Sequence, residues 1–442
     1  MTELKKSLSL LEATMYGVGV IVGVGIFTLI GRACGMAGNM VWASFVLGAA
    51  VAFLTGLSYA ELSSIYPKAS ADYYYVSRAF KNRLLAFLVS WILIFAQLMG
   101  TSTVALGFGS YLQRITGTSP ALNAFLLILV VGLVNFRGIK TTVDFNTVCI
   151  LATIAGLLSI IVLGIRYIGS VNYFESSQGL QGVFNASTLL FFAFLGFENI
   201  ASIAEETKKP QKNIPRAILL SIALTTVLYV LLAVSIVSIA SWQELSTSDA
   251  PLATALSKVS GTAEILITVL ALGATASTCL GLMVHVSRIV YGIAADGCFP
   301  EFFTLVHPKY RTPWVSIITT TAFACAFLLI GKPATTASLA TFAALIAFVM
   351  VNLSVLSIRR AKIRGKFRVP SIKNIPLTSV LGFLLCVFLL LQFNLQIVEL
   401  GIFVLLIGIF YSLVLDRILK WLEVWKNLKR ELTRFQKEFL SE

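Results

Sequence analysis

Charged residues are scarce in this chain. Asp, Glu, Lys and Arg make up 12% of its 442 residues, about half the share of a soluble domain, and 57% are hydrophobic. So few charges over this length cannot clothe a water-facing surface, which leaves an integral membrane protein. Histidine is scarcer still: His285 and His307 are the only two, too far apart in the chain for a metal cluster. The six cysteines, Cys34, Cys149, Cys279, Cys298, Cys325 and Cys386, show neither a CxxC pair nor zinc spacing. Most fall in apolar runs, where a free thiol behaves as a small hydrophobe. The sequence therefore predicts no disulfide framework, no metal centre and no organic cofactor. It has no GxSxG, no Walker sequence and no titratable group paired with Glu198, the one acid placed mid-span. A membrane enzyme has no chemistry to stand on, and none is expected.

What is present is a series of long apolar runs. Twelve can be marked, at about 12–36, 41–65, 84–112, 120–135, 144–168, 187–204, 216–240, 263–290, 314–331, 335–357, 377–395 and 399–416, each near the roughly 20 residues that cross a bilayer. Lys and Arg set the orientation. With the N-terminus inside, 29 of the 34 fall in inner segments, and Arg32, Arg114, Arg166, Lys258 and Lys332 fall outside. The net charge of +14 is thus a topology signal and an attraction to anionic lipid, not a nucleic-acid surface. Both termini are expected in the cytoplasm of a cell-membrane protein. The opening Met-Thr-Glu-Leu-Lys-Lys, followed by a long glycine-bearing span, does not read as a cleaved signal peptide. The chain divides into an N-terminus (1–11), spans one to five (12–168), spans six to ten (187–357), two last spans (377–416) and a tail (417–442). That tail repeats Leu419, Leu422, Trp425, Leu428, Leu432, Phe435 and Phe439 between charges, the pattern of an amphipathic helix on the inner membrane surface. A packing or regulatory helix is the alternative. Glu12, Glu61 and Asp144 lie near span ends and read as interfacial.

Two spans are interrupted. The first carries Gly17, Gly19, Gly23 and Gly25 within an apolar stretch, and each glycine inside a helix costs about 0.5–1 kcal/mol relative to alanine. Either the backbone opens there, or the glycines form a face for close helix packing. In the sixth span, Gly196 is followed by Glu198 and Asn199 in an otherwise apolar run. Spans one and six are five apart, so they occupy corresponding positions of an inverted repeat. Paired interrupted helices at such positions point to a midplane transport site.

These residues resemble the amino acid–polyamine–organocation (APC) transporter family. Gly17-Val-Gly-Val-Ile-Val-Gly-Val-Gly-Ile-Phe27 is similar to its first-helix signature. Phe192-Ala-Phe-Leu-Gly-Phe-Glu198 with Glu205-Glu206-Thr-Lys-Lys-Pro210 is similar to its sixth helix and the loop that follows. Arg288 to Pro300 resembles the segment after its eighth helix, and Tyr66-Pro67-Lys-Ala-Ser-Ala-Asp72-Tyr73 the loop after its second, with Ser70-Ala71 in place of the usual glycine pair. The resemblance runs from residue 8 to about 415. It implies an all-α membrane fold of about twelve helices: a five-plus-five inverted repeat of the LeuT type with helices one and six discontinuous, and two C-terminal helices. It also implies transport of amino acids or related amines by alternating access.

On that fold, N–H groups of Gly23, Val24 and Gly25 would take a substrate carboxylate, helped by the positive end of the following half-helix. Carbonyls around Gly19, Val22, Phe192 and Leu195 would take the ammonium. Phe192 and Phe197 are candidates for a gate or side-chain subsite. Glu198 would carry a proton, meet a cationic substrate, or brace the unwound backbone. Ala274, Ser277 and Thr278 share one helical face, and with the Gly19 and Val22 carbonyls they resemble the sodium site of sodium-coupled transporters of this fold. Some relatives put a lysine in the fifth helix instead, where this chain has Thr153. Oxygen ligands suit a hard cation, so Na⁺ is favoured slightly over H⁺; hydroxyls bonding back to their own helix are the plain alternative. Neutral amino acids are the expected substrates, with cationic amino acids or polyamines as the runner-up. A sensor that keeps the fold without transporting is the reading from another class. Neither oligomeric state nor flux direction is legible.

Overall fold

The computed structural model describes residues 8–23, 25–68, 71–137, 139–330, 332–372 and 375–414, with backbone only over 139–148. The tail, the Asp144 side chain and Val24 lie outside the described residues. The architecture is all-α. Among the described residues, nine helical stretches are long and apolar enough to cross a membrane, and three shorter apolar helices accompany them.

The first span is split into α1 (Leu10–Ile21) and α2 (Gly25–Ala37), and α3 (Val41–Ile65) follows. After α4 (Ala71–Phe80) come α5 (Arg83–Thr116), α6 (Pro120–Arg137) and α7 (Ile139–Gly164). The sixth span is α8 (Gly179–Leu190), a 3-10 turn over Phe191–Phe194, and the short α9 (Asn199–Ser202). Next are α10 (Pro210–Ile239), α11 (Trp242–Thr247), α12 (Pro251–Ser257), α13 (Gly261–Ala295), α14 (Trp314–Phe327), α15 (Pro333–Arg360) and α16 (Leu377–Leu390), then α17 (Leu395–Val414). Among the described residues the one sheet is an antiparallel pair, β1 (Ser371–Ile372) and β2 (Ile375–Pro376).

Helix ends follow local chemistry. Ser9 and Glu12 form a reciprocal capping box at the start of α1, which meets two N–H groups that have no helical partner. Asn82 caps α5, and α5 stops at Gly117, whose φ of 70° ends the helix in the left-handed region. The sixth span begins eight residues before the expected Ser187. Gln181 and Asn185 make its first turns look like loop, yet Gln181 Nε2 donates to Asn185 Oδ1 at 3.1 Å and to Gln392 Oε1 at 2.9 Å. Three short helices, α4, α11 and α12, occupy segments expected to be loops.

The loops sort into two ends. At one, Leu8 exchanges backbone bonds with Glu206 (3.0 Å) and Lys208 (2.8 Å), Arg83 Nη2 donates to the Asp296 carbonyl at 2.9 Å, and Thr312 Oγ1 donates to Phe136 O at 2.9 Å. This is the end that collects the basic loops. At the other, Arg114 meets Glu264 at 2.7 Å, Lys258 pairs with Glu244, and Trp42 Nε1 donates to the Tyr173 carbonyl at 3.0 Å.

Glu61 departs from its expected interfacial place. It is 3% exposed and takes both Arg359 Nε at 2.7 Å and Arg359 Nη2 at 2.6 Å, plus the Val369 N–H at 2.9 Å. A bidentate geometry with extra hydrogen bonds is what lets an ion pair survive burial. It ties α3 to the end of α15 and the segment beyond. Removing one partner strands the other charge, which costs roughly 3–5 kcal/mol. We predict that Arg359→Met alone lowers the melting temperature in detergent sharply, and that Glu61→Met with Arg359→Met recovers much of the loss. Equal damage from single and double variants would contradict a pairing role.

Candidate functional site

The helical ladder fails at Val22. Its N–H still reaches Val18 O at 2.7 Å, but Gly23 N–H turns back to Ile21 O at 3.0 Å, and α2 starts afresh at Gly25. Facing it, the sixth span tightens into the 3-10 turn and then opens over Leu195–Glu198. Gly196 has φ of 117°, a conformation that strains any residue with a Cβ. A Cβ there would also meet Val20 Cγ1 at 2.7 Å.

The glycines of the first span divide between the two readings. Gly17 packs against Ile200 and Ser221, and Gly19 against Ile150; these two serve helix contact. Gly23 sits on the Thr278 side chain of α13, and Gly25 sits on the Ala193 backbone. The breaks of spans one and six are therefore in direct contact, and only glycine allows it.

Opened carbonyls need donors, because lipid supplies none. Tyr229 of α10, fully buried, places its hydroxyl 2.9 Å from Ile21 O and 3.0 Å from Ala193 O, one acceptor at each break. Beyond the break, inside α2, Tyr111 Oη also donates to Phe27 O at 2.9 Å. Glu198, 3% exposed, takes the Gly196 N–H on Oε2 at 2.8 Å and Gln97 Nε2 on Oε1 at 3.3 Å. It braces the unwound segment from within.

Between the breaks lies a narrow cavity lined by Val20, Ile21, Gln97, Phe192, Leu195 and Glu198, among others, with Thr278 and Leu282 of α13 on its wall. A second cavity towards the basic end shares Glu198 and is lined by Asp72, Tyr73, Ser202 and His285. Glu198 thus stands at the boundary of the two. Asp72 accepts from the Tyr59 hydroxyl.

The expected residues are only partly brought together. Phe192 and Leu195 line the cavity. Phe197 does not; it is fully buried between Tyr59 and Phe348, at ring distances of 5.6 and 5.2 Å. Gly19 is taken up by Ile150, and the Gly23 N–H is engaged within its own turn. Val22 is buried, and Ala274, Ser277 and Thr278 are buried on one face of α13. Thr278 Oγ1 donates to Ala274 O at 3.1 Å, and Thr153 Oγ1 to Cys149 O at 2.7 Å. Two participants escaped the sequence reading. Gln97 is the one amide within the third apolar run, a signal that was available. Tyr229 is one tyrosine in an apolar run, and nothing local marks its hydroxyl as a bridge.

Replacing Tyr229 by Phe keeps the ring against Phe45 and Phe194 and removes only the donor. Ile21 O keeps the Gly23 N–H, but leaving the buried Ala193 acceptor unmet costs about 1–3 kcal/mol. We predict a lower melting temperature for Tyr229→Phe and faster amide exchange around both breaks, read by mass spectrometry. Exchange unchanged at both would contradict the bridge.

Comparison with known proteins agrees with this architecture. A family model described as amino acid permease matches residues 8–414. The chain is 31% identical over 404 residues to the methylthioribose transporter of Bacillus subtilis, covering 85% of this chain and 86% of that one. It is 29% identical over 418 residues to the branched-chain amino acid permease BcaP of the same organism, covering 88% of each. It is 30% identical over 386 residues to the vacuolar cationic amino acid transporter 4 of Arabidopsis thaliana, covering 81% of this chain and 64% of that one. With these matches over nearly its whole length, the chain belongs to the amino acid permease family, within the APC superfamily of multi-pass membrane transporters.

Proposed function

We propose that this protein moves a neutral amino acid across the cell membrane by alternating access, with the substrate held between the two helix breaks. The observation that carries this reading is the contact of Gly25 with the Ala193 backbone, which sets a helix N-terminus beside a freshly ended helix. The start of α2 presents N–H groups without helical partners, and the dipole there favours a carboxylate. Carbonyls near the ends of α1 and of the 3-10 turn favour an ammonium. The Gly23 N–H would join the carboxylate only by leaving Ile21 O. The rest of the wall is mainly apolar, with Phe192, Leu195 and Leu282, which suits an uncharged side chain. The name of the branched-chain relative points the same way. Cationic substrates are the second choice, favoured by Glu198 on the cavity wall and by the name of the Arabidopsis relative.

Transport against a gradient needs a coupled ion. The first reading is Na⁺ at Ala274, Ser277 and Thr278 with the Gly19 and Val22 carbonyls. Its support is that Gly23 of the first break sits directly on Thr278. The second is H⁺ on Glu198, supported by its place between the two cavities. The basic end would face the cytoplasm and the tail would lie along anionic lipid.

Uptake of radiolabelled amino acids into proteoliposomes, under a sodium or a proton gradient in turn, tests this. We expect accumulation under one gradient, abolished by Gly25→Leu in protein that still purifies as a monodisperse species. Under the sodium reading, Thr278→Val cuts sodium-driven uptake by about tenfold or more, the effect of losing about 1.4 kcal/mol of ion binding, while Glu198→Gln changes proton-driven uptake only. Binding of an amino acid without accumulation or exchange would favour the sensor. Normal uptake by Gly25→Leu would remove the proposed site.

A further inference from the structure

Gln97 of α5 lines the cavity between the two breaks, together with Phe192 and Thr278. It is 4% exposed. Its Nε2 is committed to Glu198 Oε1 at 3.3 Å. With Glu198 ionised that orientation follows from chemistry: a carboxylate accepts only, so the amide turns its N–H towards it. The other end of the amide, Oε1, is buried without a hydrogen-bond partner. Both Glu198 oxygens already accept, one from Gly196 N–H and one from Gln97. Thr278 Oγ1 donates to its own helix. Among these polar groups of the described cavity wall, Gln97 Oε1 is thus the acceptor that has no partner at all.

An unmet buried acceptor costs about 1–3 kcal/mol, and a hydrogen bond to a charged group returns about 1.5–3 kcal/mol. The cheapest way to meet it is a donor carried in by the ligand. The neighbouring carboxylate makes the local potential negative, which selects a cationic donor over a hydroxyl. Gly100, one turn along α5, has no side chain, and the Phe192 ring lies 3.7 Å from where a Cβ would stand. With Leu282 Cδ1 at 3.5 Å from the same point, the gap beside Gln97 on this face is about the size of a methyl group.

We infer that Gln97 is a substrate-binding residue: its Oε1 accepts from the ammonium group of the amino acid, and Glu198 holds the amide in the orientation that makes this acceptor available. The inference rests on the transporter reading above and adds a side-chain contact to the backbone carbonyls. Glu198 acts here as a positioning residue. The class of ligand selected is a primary amine bearing a carboxylate, rather than a carboxylic acid of the same side chain without the amine.

The test uses the full chain in lipid nanodiscs and a ligand pair: an amino acid that the protein binds, and the matching acid lacking the α-amine. Dissociation constants are measured for wild type and Gln97→Met, which keeps the side-chain volume. The amino acid is expected to weaken at least tenfold in Gln97→Met, while the amine-free acid changes less than twofold. Equal weakening of both ligands would make Gln97 a structural residue and overturn the inference, as would no change in either. Should Gln97→Met fail to fold, Gln97→Asn decides: it keeps the amide but draws its oxygen back by one methylene, so the amino acid is expected to weaken at least tenfold and the amine-free acid less than twofold, and equal weakening of both or no change in either overturns the inference. A wild type that binds no amino acid overturns the transporter reading itself, a result distinguishable from the others because no variant enters it.

Discussion

Opening a helix inside a bilayer leaves N–H and C=O groups with no water to meet them, and the centre of this molecule is arranged around that constraint. Spans one and six both open part-way along, and groups freed at the breaks are met from another helix or from the break itself. Tyr229 brings one hydroxyl to Ile21 O and Ala193 O. Glu198 folds back on Gly196 N–H. The first of these partners is distant in the chain, supplied by α10, and the second comes from the break itself. The backbone is held in a non-helical form without a ligand, yet with few polar groups to spare. A ligand entering there meets preformed, partly satisfied groups and needs little further ordering.

The periphery is built differently. A capping box, a left-handed stop at Gly117 and the buried Glu61–Arg359 pair fix the ends of helices and the segments between them. Stiff ends around an open middle are what alternating access requires: rigid elements that rock about a site, with the change concentrated in a few residues. Glu198, bounding one cavity at the breaks and another towards the basic end, stands where such a movement would pass.

Much of the fold was legible because lipid demands long apolar runs and positive loops, and these leave marks in composition. The break in span one was legible in Gly23 and Gly25, and that in span six in Gly196 and Glu198. Gly17 and Gly19 have the same spacing as the other two, so sequence cannot say that they pack against Ser221 and Ile150 instead. Phe197 could not be separated from Phe192, because outside a regular helix no period predicts which side chain faces the cavity. Glu61 looked interfacial since its partner Arg359 lies 298 residues away. The short helix α4 was invisible to a hydropathy reading because it is polar and aromatic, though Asp72 and Tyr75 are buried under Tyr59.

The most direct test of the central claim is a cryo-electron microscopy structure of the protein in nanodiscs with a transported amino acid bound. The account predicts ligand density between the two breaks, its carboxylate at the start of α2 and its ammonium within hydrogen-bonding distance of the carbonyls near Leu195. Density elsewhere in the bundle, or helices one and six becoming continuous around a bound ligand, would contradict it.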